Sequence, residues 1–470
     1  MSVSSQVSVE EIAAAAPSAG ARPNKVASHS LAIFAVQLLV LACAVGNNFL
    51  IARLGGPEGK GLLYTLQLIS SVLGLSFLHF CLGSAAIVFL RQHRGKREEI
   101  AASMFFPSLL LGAIPAIVMG VGWRWTSHLA SGSMPVMYLW LGLLAIPAMV
   151  LTYNVSYFCL GEDRLRDYNS LMAAPSIILS ATLIVLWLAH KTDITFLIIA
   201  WCFSVFAPSL YAGVLVLRSS GGSLLPRYSP FRKMYQYGWR AHVCGALQQL
   251  QHRSPVLLIA AMLPVSQLGI YSLAVTLVEL LWYIPNTLSV ALLPHVASSS
   301  GEEASRFTPA ICRVTLAVTA VLGVMLAILC SVVVPLLLPR FTSSLAPLWI
   351  LMPGLAFASI SRVMASDLNG RDKPMKVFQP VLWAVILETS VGLYCVPHFA
   401  LLGAAAVTVL GYVVNTLMQI PIYCRVAGVS ARSVLVIRKH DVAAIVRALR
   451  THLDRLRGLV PPEYGEPSLP

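Results

Sequence analysis

Side chains able to hold or move charge stand inside stretches of this chain that are otherwise hydrocarbon. Ser272, Thr276, Glu279, Tyr283 and Asn286 recur at the spacing of one helix face, which puts a carboxylate near the middle of a long apolar run. Just before it, in HVCGALQQLQHRSPVLLIA, the residues His242, Gln248, Gln249, His252 and Arg253 share one arc of roughly 140° at about 100° per residue. Arginine offers a planar fork of donors that fits phosphate oxygens two at a time. A glutamate beside it either forms an ion pair or takes and gives a proton, and both roles are open for Glu279. Ionisable groups at bilayer depth are costly unless they face a wet cavity or a partner. Such a stripe therefore belongs on an interior face, either lining water or bonding to a neighbouring helix.

Further candidates are scattered along the chain. Glu388 lies mid-stretch and is a second coupling or ion-pair candidate, while Arg313 lies in the inner part of another apolar run. Asn48 and Arg53 close the first run, with Gln37 before them and Gln67 and His79 on the next. His79 by itself reads first as a packed histidine. Arg362 and Arg240 sit nearer the ends of their stretches, where a long stem lets the head snorkel to the surface. Arg240 also falls on the face opposite Arg253. Neither a Ser/His/Asp arrangement, nor HExxH, nor a phosphate-binding P-loop is present, so no catalytic residue is expected and the chain does not read as an enzyme. No Cys/His spacing suits a metal, and most of the nine cysteines fall inside apolar runs, where packing explains them.

The elements that position these groups follow from composition. The chain is 57% hydrophobic and 11% charged, against about 25% charged in soluble domains. Apolar runs of about 20 residues recur, each long enough to cross a hydrocarbon core of about 30 Å. This is an all-α polytopic membrane protein with twelve expected spans, near residues 30–54, 60–90, 100–123, 134–160, 170–189, 194–217, 236–263, 266–296, 307–338, 344–366, 377–396 and 400–423. Segments placed inside hold most of the Lys and Arg, whereas the outside loops hold only Arg124, Lys191 and Arg340, with Arg53 and Lys60 at the outer rim. Both termini are therefore expected in the cytoplasm. The net charge of +14 is a topology signal and a match for anionic inner-leaflet lipids, not a nucleic-acid footprint.

Residues 1–29 read as a disordered cytoplasmic tail without the apolar core of a signal peptide. Residues 218–235 read as a cytoplasmic linker between six-helix sets at 30–217 and 236–423. Over 433–460, apolar residues recur at helical spacing opposite several arginines, which predicts a basic amphipathic helix on the cytoplasmic membrane surface. The two sets share wording. Leu50-Ile51-Ala52 and Leu258-Ile259-Ala260 recur at the same offset as Gly61 and Gly269, and both stretches join the first and second spans of a set. The reading is two same-way-up bundles about a pseudo-twofold axis, with substrate between them. In the first set, LGGPEGKG is the tight outer hairpin that Gly and Pro permit.

ARLGGPEGKGLLYTLQLISSVLGLSF resembles the first hairpin of bacterial polysaccharide flippases of the multidrug/oligosaccharidyl-lipid/polysaccharide (MOP) superfamily. YGWRAHVCGALQQL, followed by LGIYSLAV and LLPHVA, resembles the same family in the second half. The resemblance implies a two-lobed carrier in the bacterial inner membrane. It would flip undecaprenyl-diphosphate-linked oligosaccharide repeat units outward by alternating access, with membrane lipids around it and polysaccharide polymerase or export proteins as partners. It implies no cofactor, but a proton or sodium gradient as driving force. A cationic cavity is expected, for which Arg253, His252, Gln249, Gln248, His242, Arg53, Asn48 and Arg313 are the candidate substrate contacts. Many relatives carry an Asp where this chain reads His252-Arg253-Ser254-Pro255, so any coupling role moves to Glu279 or Glu388. Two alternatives remain: a multidrug or toxic-compound exporter of the same fold, and a non-transporting membrane assembly partner.

Overall fold

In a computed structural model of the chain, the described residues are 23–72, 82–92, 97–122, 135–221, 228–298, 301–371, 373 and 375–436. Among them the chain forms helices and turns only. They are α1 (Pro23–Ser71), α2 (Leu82–Gln92), α3 (Arg97–Val121), α4 (Val136–Gly161), α5 (Leu165–Leu188) and α6 (Ile194–Ser219). After these come α7 (Tyr228–Met262), α8 (Val265–Glu279), a 3-10 turn, α9 (Tyr283–Ser298), α10 (Gly301–Leu337), α11 (Leu345–Gly370), α12 (Met375–Ala427) and α13 (Ala431–Leu435). Helices are what hydrocarbon demands, because each backbone N–H and C=O then finds its partner within the segment. Nine helices among the described residues are long and apolar enough to cross a membrane. Leu110, Val118, Leu210, Met325, Val332 and Leu336 all stand more than half exposed. Large apolar side chains so bare suit acyl chains rather than water. The chain is a multi-pass membrane protein.

Two of these helices double back. In α1 the non-helical residue is Gly56, at φ 61° and ψ −169°, just before Pro57. The return is tight enough for Lys60 Nζ to donate to Asn48 Oδ1 at 2.8 Å across the hairpin. In α12 the break is Ala400, at φ 48° and ψ −127°. Gly392 there abuts Val407, and Gly411 abuts Glu388, so the two limbs pack side by side. An L side chain is strained at positive φ, by about 1–3 kcal/mol. Ala400→Gly is therefore expected to raise the thermal unfolding midpoint of the detergent-solubilised protein; an unchanged or lowered midpoint would show that the turn carries no strain.

Three apolar clusters organise the packing around the centre. Leu63, Leu66, Ile146, Leu197 and Trp201 meet in one, and Leu90, Met104, Phe158 and Val216 in a second. Ile360, Val381, Tyr423 and Val434 form part of a third in the later part of the chain. A fourth cluster crosses between the halves, joining Tyr64, Leu68 and Val72 of α1 to Leu268, Val278, Leu355 and Tyr412.

The repeated glycines meet there. A Cβ on Gly61 would fall 1.9 Å from the Val265 carbonyl oxygen, and one on Gly269 would fall 1.9 Å from the Pro57 carbonyl oxygen. The contact is reciprocal: each glycine faces the residue four places before the other. Two helices can approach so closely only where neither carries a side chain.

Some boundaries differ from expectation. Helix α1 already begins at Pro23, inside the stretch expected as tail, and α7 begins at Tyr228, inside the expected linker. Both helices run on past the apolar part of their sequence, because hydrogen bonding along the axis does not stop where hydropathy does. Of the expected 433–460 helix, the residues beyond 436 lie outside the described ones.

Candidate functional site

The described part of the α7 stripe, Gln248 to Arg253, is half-buried and meets the α8 stripe in the interior. Arg253 Nη1 lies 3.1 Å from Glu279 Oε1, and the two side chains are only 11% and 15% exposed. The same nitrogen donates to Tyr64 Oη of α1 at 3.2 Å. The pair thus ties α7 and α8 to the other half of the chain, and Arg253 reaches it already neutralised. Beside it lies a small cavity of about 30 Å³, lined by Gln249, His252, Arg253, Glu279, Trp282 and Tyr412 among others. A space of that size accommodates a water or two among polar groups. The His252 ring packs edge-on against Trp282 and Tyr412, and its Nδ1 lies 3.4 Å from Tyr412 Oη.

Glu388 is fully buried deeper in the same half. Ser254 Oγ donates to its Oε1 at 2.8 Å, while Oε2 has no hydrogen-bond partner among the described residues. The carboxyl fits because Gly411 leaves room; a Cβ there would fall 2.1 Å from Oε2. Gln251 Nε2 donates to the Gly411 carbonyl at 3.3 Å, closing the wall. A buried carboxyl with an unsatisfied oxygen costs about 1–3 kcal/mol. Binding a proton or a cation there would satisfy it.

Asn48 is buried at the junction. Its Oδ1 accepts from Lys60 and lies 3.4 Å from Thr276 Oγ1 of α8. Lys60 itself is 2% exposed and has no ion pair among the described residues. At the sequence level it reads as a rim residue of the hairpin; only the covering helices bury it.

Several expectations shift. Arg53 is exposed, on the outside of the hairpin rather than in the interior. Arg313 is buried and donates to the Ser433 carbonyl, at the junction of α10 with α13. Neither residue could be aimed from its own helix alone, since its direction depends on which neighbour packs against it. Arg362, expected to snorkel, instead turns inward. Its Nε donates to Asn286 Oδ1 at 2.8 Å, and its Nη1 lies 3.4 Å from Gln248 Oε1. Gln37 is exposed and Gln67 half-buried. His79 and the side chains of His242 and Arg240 lie outside the described residues. No group of three His, Cys, Asp or Glu that could hold a metal occurs among the described residues.

The fold has solved counterparts. An inward-facing multidrug-resistance MATE-family transporter of the MOP superfamily superposes with TM-score 0.68 at 13% identity, covering 83% of this chain and 95% of its own. The lipid II flippase MurJ, in an inward closed conformation, gives TM-score 0.65 at 12% identity over 91% of this chain and 97% of its own. A MOP-superfamily transporter from Pyrococcus furiosus, described as having a binding pocket of reverse polarity, gives 0.51 at 12% identity over 90% and 94%. No protein-family model and no curated protein matches the chain. The likeness is one of fold, and it extends over nearly the whole length of these solved transporters.

Proposed function

We propose that the chain is a flippase for lipid-linked oligosaccharides in a bacterial inner membrane, both termini cytoplasmic. Two six-helix lobes, residues 30–217 and 236–423, alternate access about the junction where Gly61 and Gly269 cross. The cargo is an undecaprenyl-diphosphate-linked repeat unit destined for surface or exported polysaccharide, delivered to polymerase or export proteins. One observation carries this reading: the interior holds basic side chains, Arg253 and Lys60 at the junction and Arg362 within the later half, and of these only Arg253 meets a carboxylate among the described residues. Uncompensated positive charge in a dry interior favours an anionic visitor and repels a cationic one. The solved MurJ counterpart, a lipid flippase by its description, is consistent with such cargo.

The test is gene deletion. Loss of surface polysaccharide together with accumulation of lipid-linked intermediates is expected. Unchanged polysaccharide with heightened sensitivity to cationic drugs would instead favour the exporter reading, which the MATE counterparts keep in view.

Glu388 is the coupling residue of this reading, because its unbonded oxygen gives a proton or sodium ion a place to bind. Glu388→Gln is expected to preserve folding and substrate binding while making transport into proteoliposomes indifferent to an imposed ion gradient. Transport that still accelerates with the gradient would remove Glu388 from the coupling step.

A further inference from the structure

The interior arginines are not equivalent. Arg253 meets Glu279, Arg371 meets Asp367, and Arg313 meets the Ser433 carbonyl. Arg362 meets two neutral amides, Asn286 at 2.8 Å and Gln248 at a long 3.4 Å, and forms no ion pair among the described residues. It projects from the later part of α11 between α7 and α9. Its Nε is held by Asn286 at ordinary hydrogen-bond length, which fixes the plane of the guanidinium. The contact through Nη1 is weak, so Gln248 is readily displaced from the edge bearing Nη1 and Nη2. That edge is the one a phosphate group takes with two parallel hydrogen bonds. Gln248 is itself half-buried on the α7 stripe. A guanidinium kept in a low-dielectric interior without a counter-charge is expensive unless an anion arrives to supply one.

We propose that Arg362, with Asn286 as its orienting partner and Gln248 as a displaceable placeholder, is a phosphate-binding seat. It engages the diphosphate of the lipid carrier ahead of Arg253, whose charge is already met by Glu279. The choice of a lipid diphosphate rests on the flippase reading; the anion seat itself rests on the charge and geometry of these three residues. In sequence Arg362 reads as a snorkelling residue, so the assignment comes from its partners alone.

The experiment is binding to the full-length protein in nanodiscs, followed by native mass spectrometry. Two probes are used separately, a C55 polyprenyl diphosphate and inorganic pyrophosphate. Wild type is expected to bind the lipid probe, and Arg362→Gln to weaken it by about tenfold or more, the cost of one charge-assisted contact. Arg362→Lys keeps the charge but not the two-point geometry and is expected to fall between them. Arg340→Gln, an exposed cation elsewhere, is expected to bind like wild type. Should Arg362→Gln fail to fold, judged by its thermal unfolding, Arg362→Lys and Asn286→Leu carry the test.

Binding by Arg362→Gln or Arg362→Lys equal to wild type would overturn the seat, as would wild type that binds neither probe. Equal Arg362-dependent affinity for pyrophosphate and the lipid would support the anion seat but identify a soluble phosphate as its ligand. Arg362-dependent lipid binding in a cell whose polysaccharide is unaffected by the deletion would uphold the seat and remove the flippase reading.

Discussion

Gly269→Ala is expected to reduce export at least tenfold while the protein still inserts into the membrane. The added Cβ would lie 1.9 Å from the Pro57 carbonyl oxygen and 2.8 Å from the Gly61 backbone nitrogen. Both are main-chain atoms, so no rotamer change relieves the clash and the two helices must part. Gly61→Ala meets the Val265 carbonyl in the same way and is expected to behave alike. Separation here unseals one end of the junction, the outer end in the proposed orientation, and biases the cycle towards the outward-open state. The readout is a cysteine replacing Thr276, a residue 4% exposed behind the crossing. A membrane-impermeant maleimide added outside should label it in the Gly269→Ala background and spare it otherwise. Continued protection with normal export would show that the crossing is not a gate.

Arg253→Gln is expected to lower export by tenfold or more and to destabilise the fold by about 3 kcal/mol, since it breaks a mostly buried ion pair from one side. Glu279→Gln should cost less, because Tyr64 still accepts from the guanidinium at 3.2 Å. The double variant should be more stable than additivity allows, with a coupling of about 2 kcal/mol for two groups in direct contact. Stability then recovers while export does not. Export restored along with stability would reduce the pair to a structural tie between the halves, with no part in transport. Denaturation in detergent and export in the deletion strain read the two quantities separately.

Much of this was legible in the amino-acid order. Hydropathy alone determined a multi-pass helical membrane protein, because lipid leaves the backbone no cheaper way to bond. The LGGPEGKG turn was legible because Gly56 takes a positive φ that few other residues tolerate. Shared spacing marked Gly61 and Gly269 as counterparts, and they meet across the junction. The α8 stripe was legible too, since helical period places Ser272, Thr276 and Glu279 on one face whatever lies opposite.

What tertiary structure decided is which charges are answered. Periodicity orients a side chain relative to its own helix axis and is silent about the neighbour. Arg253 and Glu279 therefore stood as pair or separate actors until packing set them 3.1 Å apart. Arg362 read as a snorkelling cation until Asn286 and Gln248 were found beside it. Lys60 read as a rim residue until it was found buried against Asn48, and Arg313 as cavity-lining until the Ser433 carbonyl met it. The physical reason is common to all four. The free energy of a charge in a membrane protein depends on the few ångströms around its head group, and distant parts of the chain supply those surroundings.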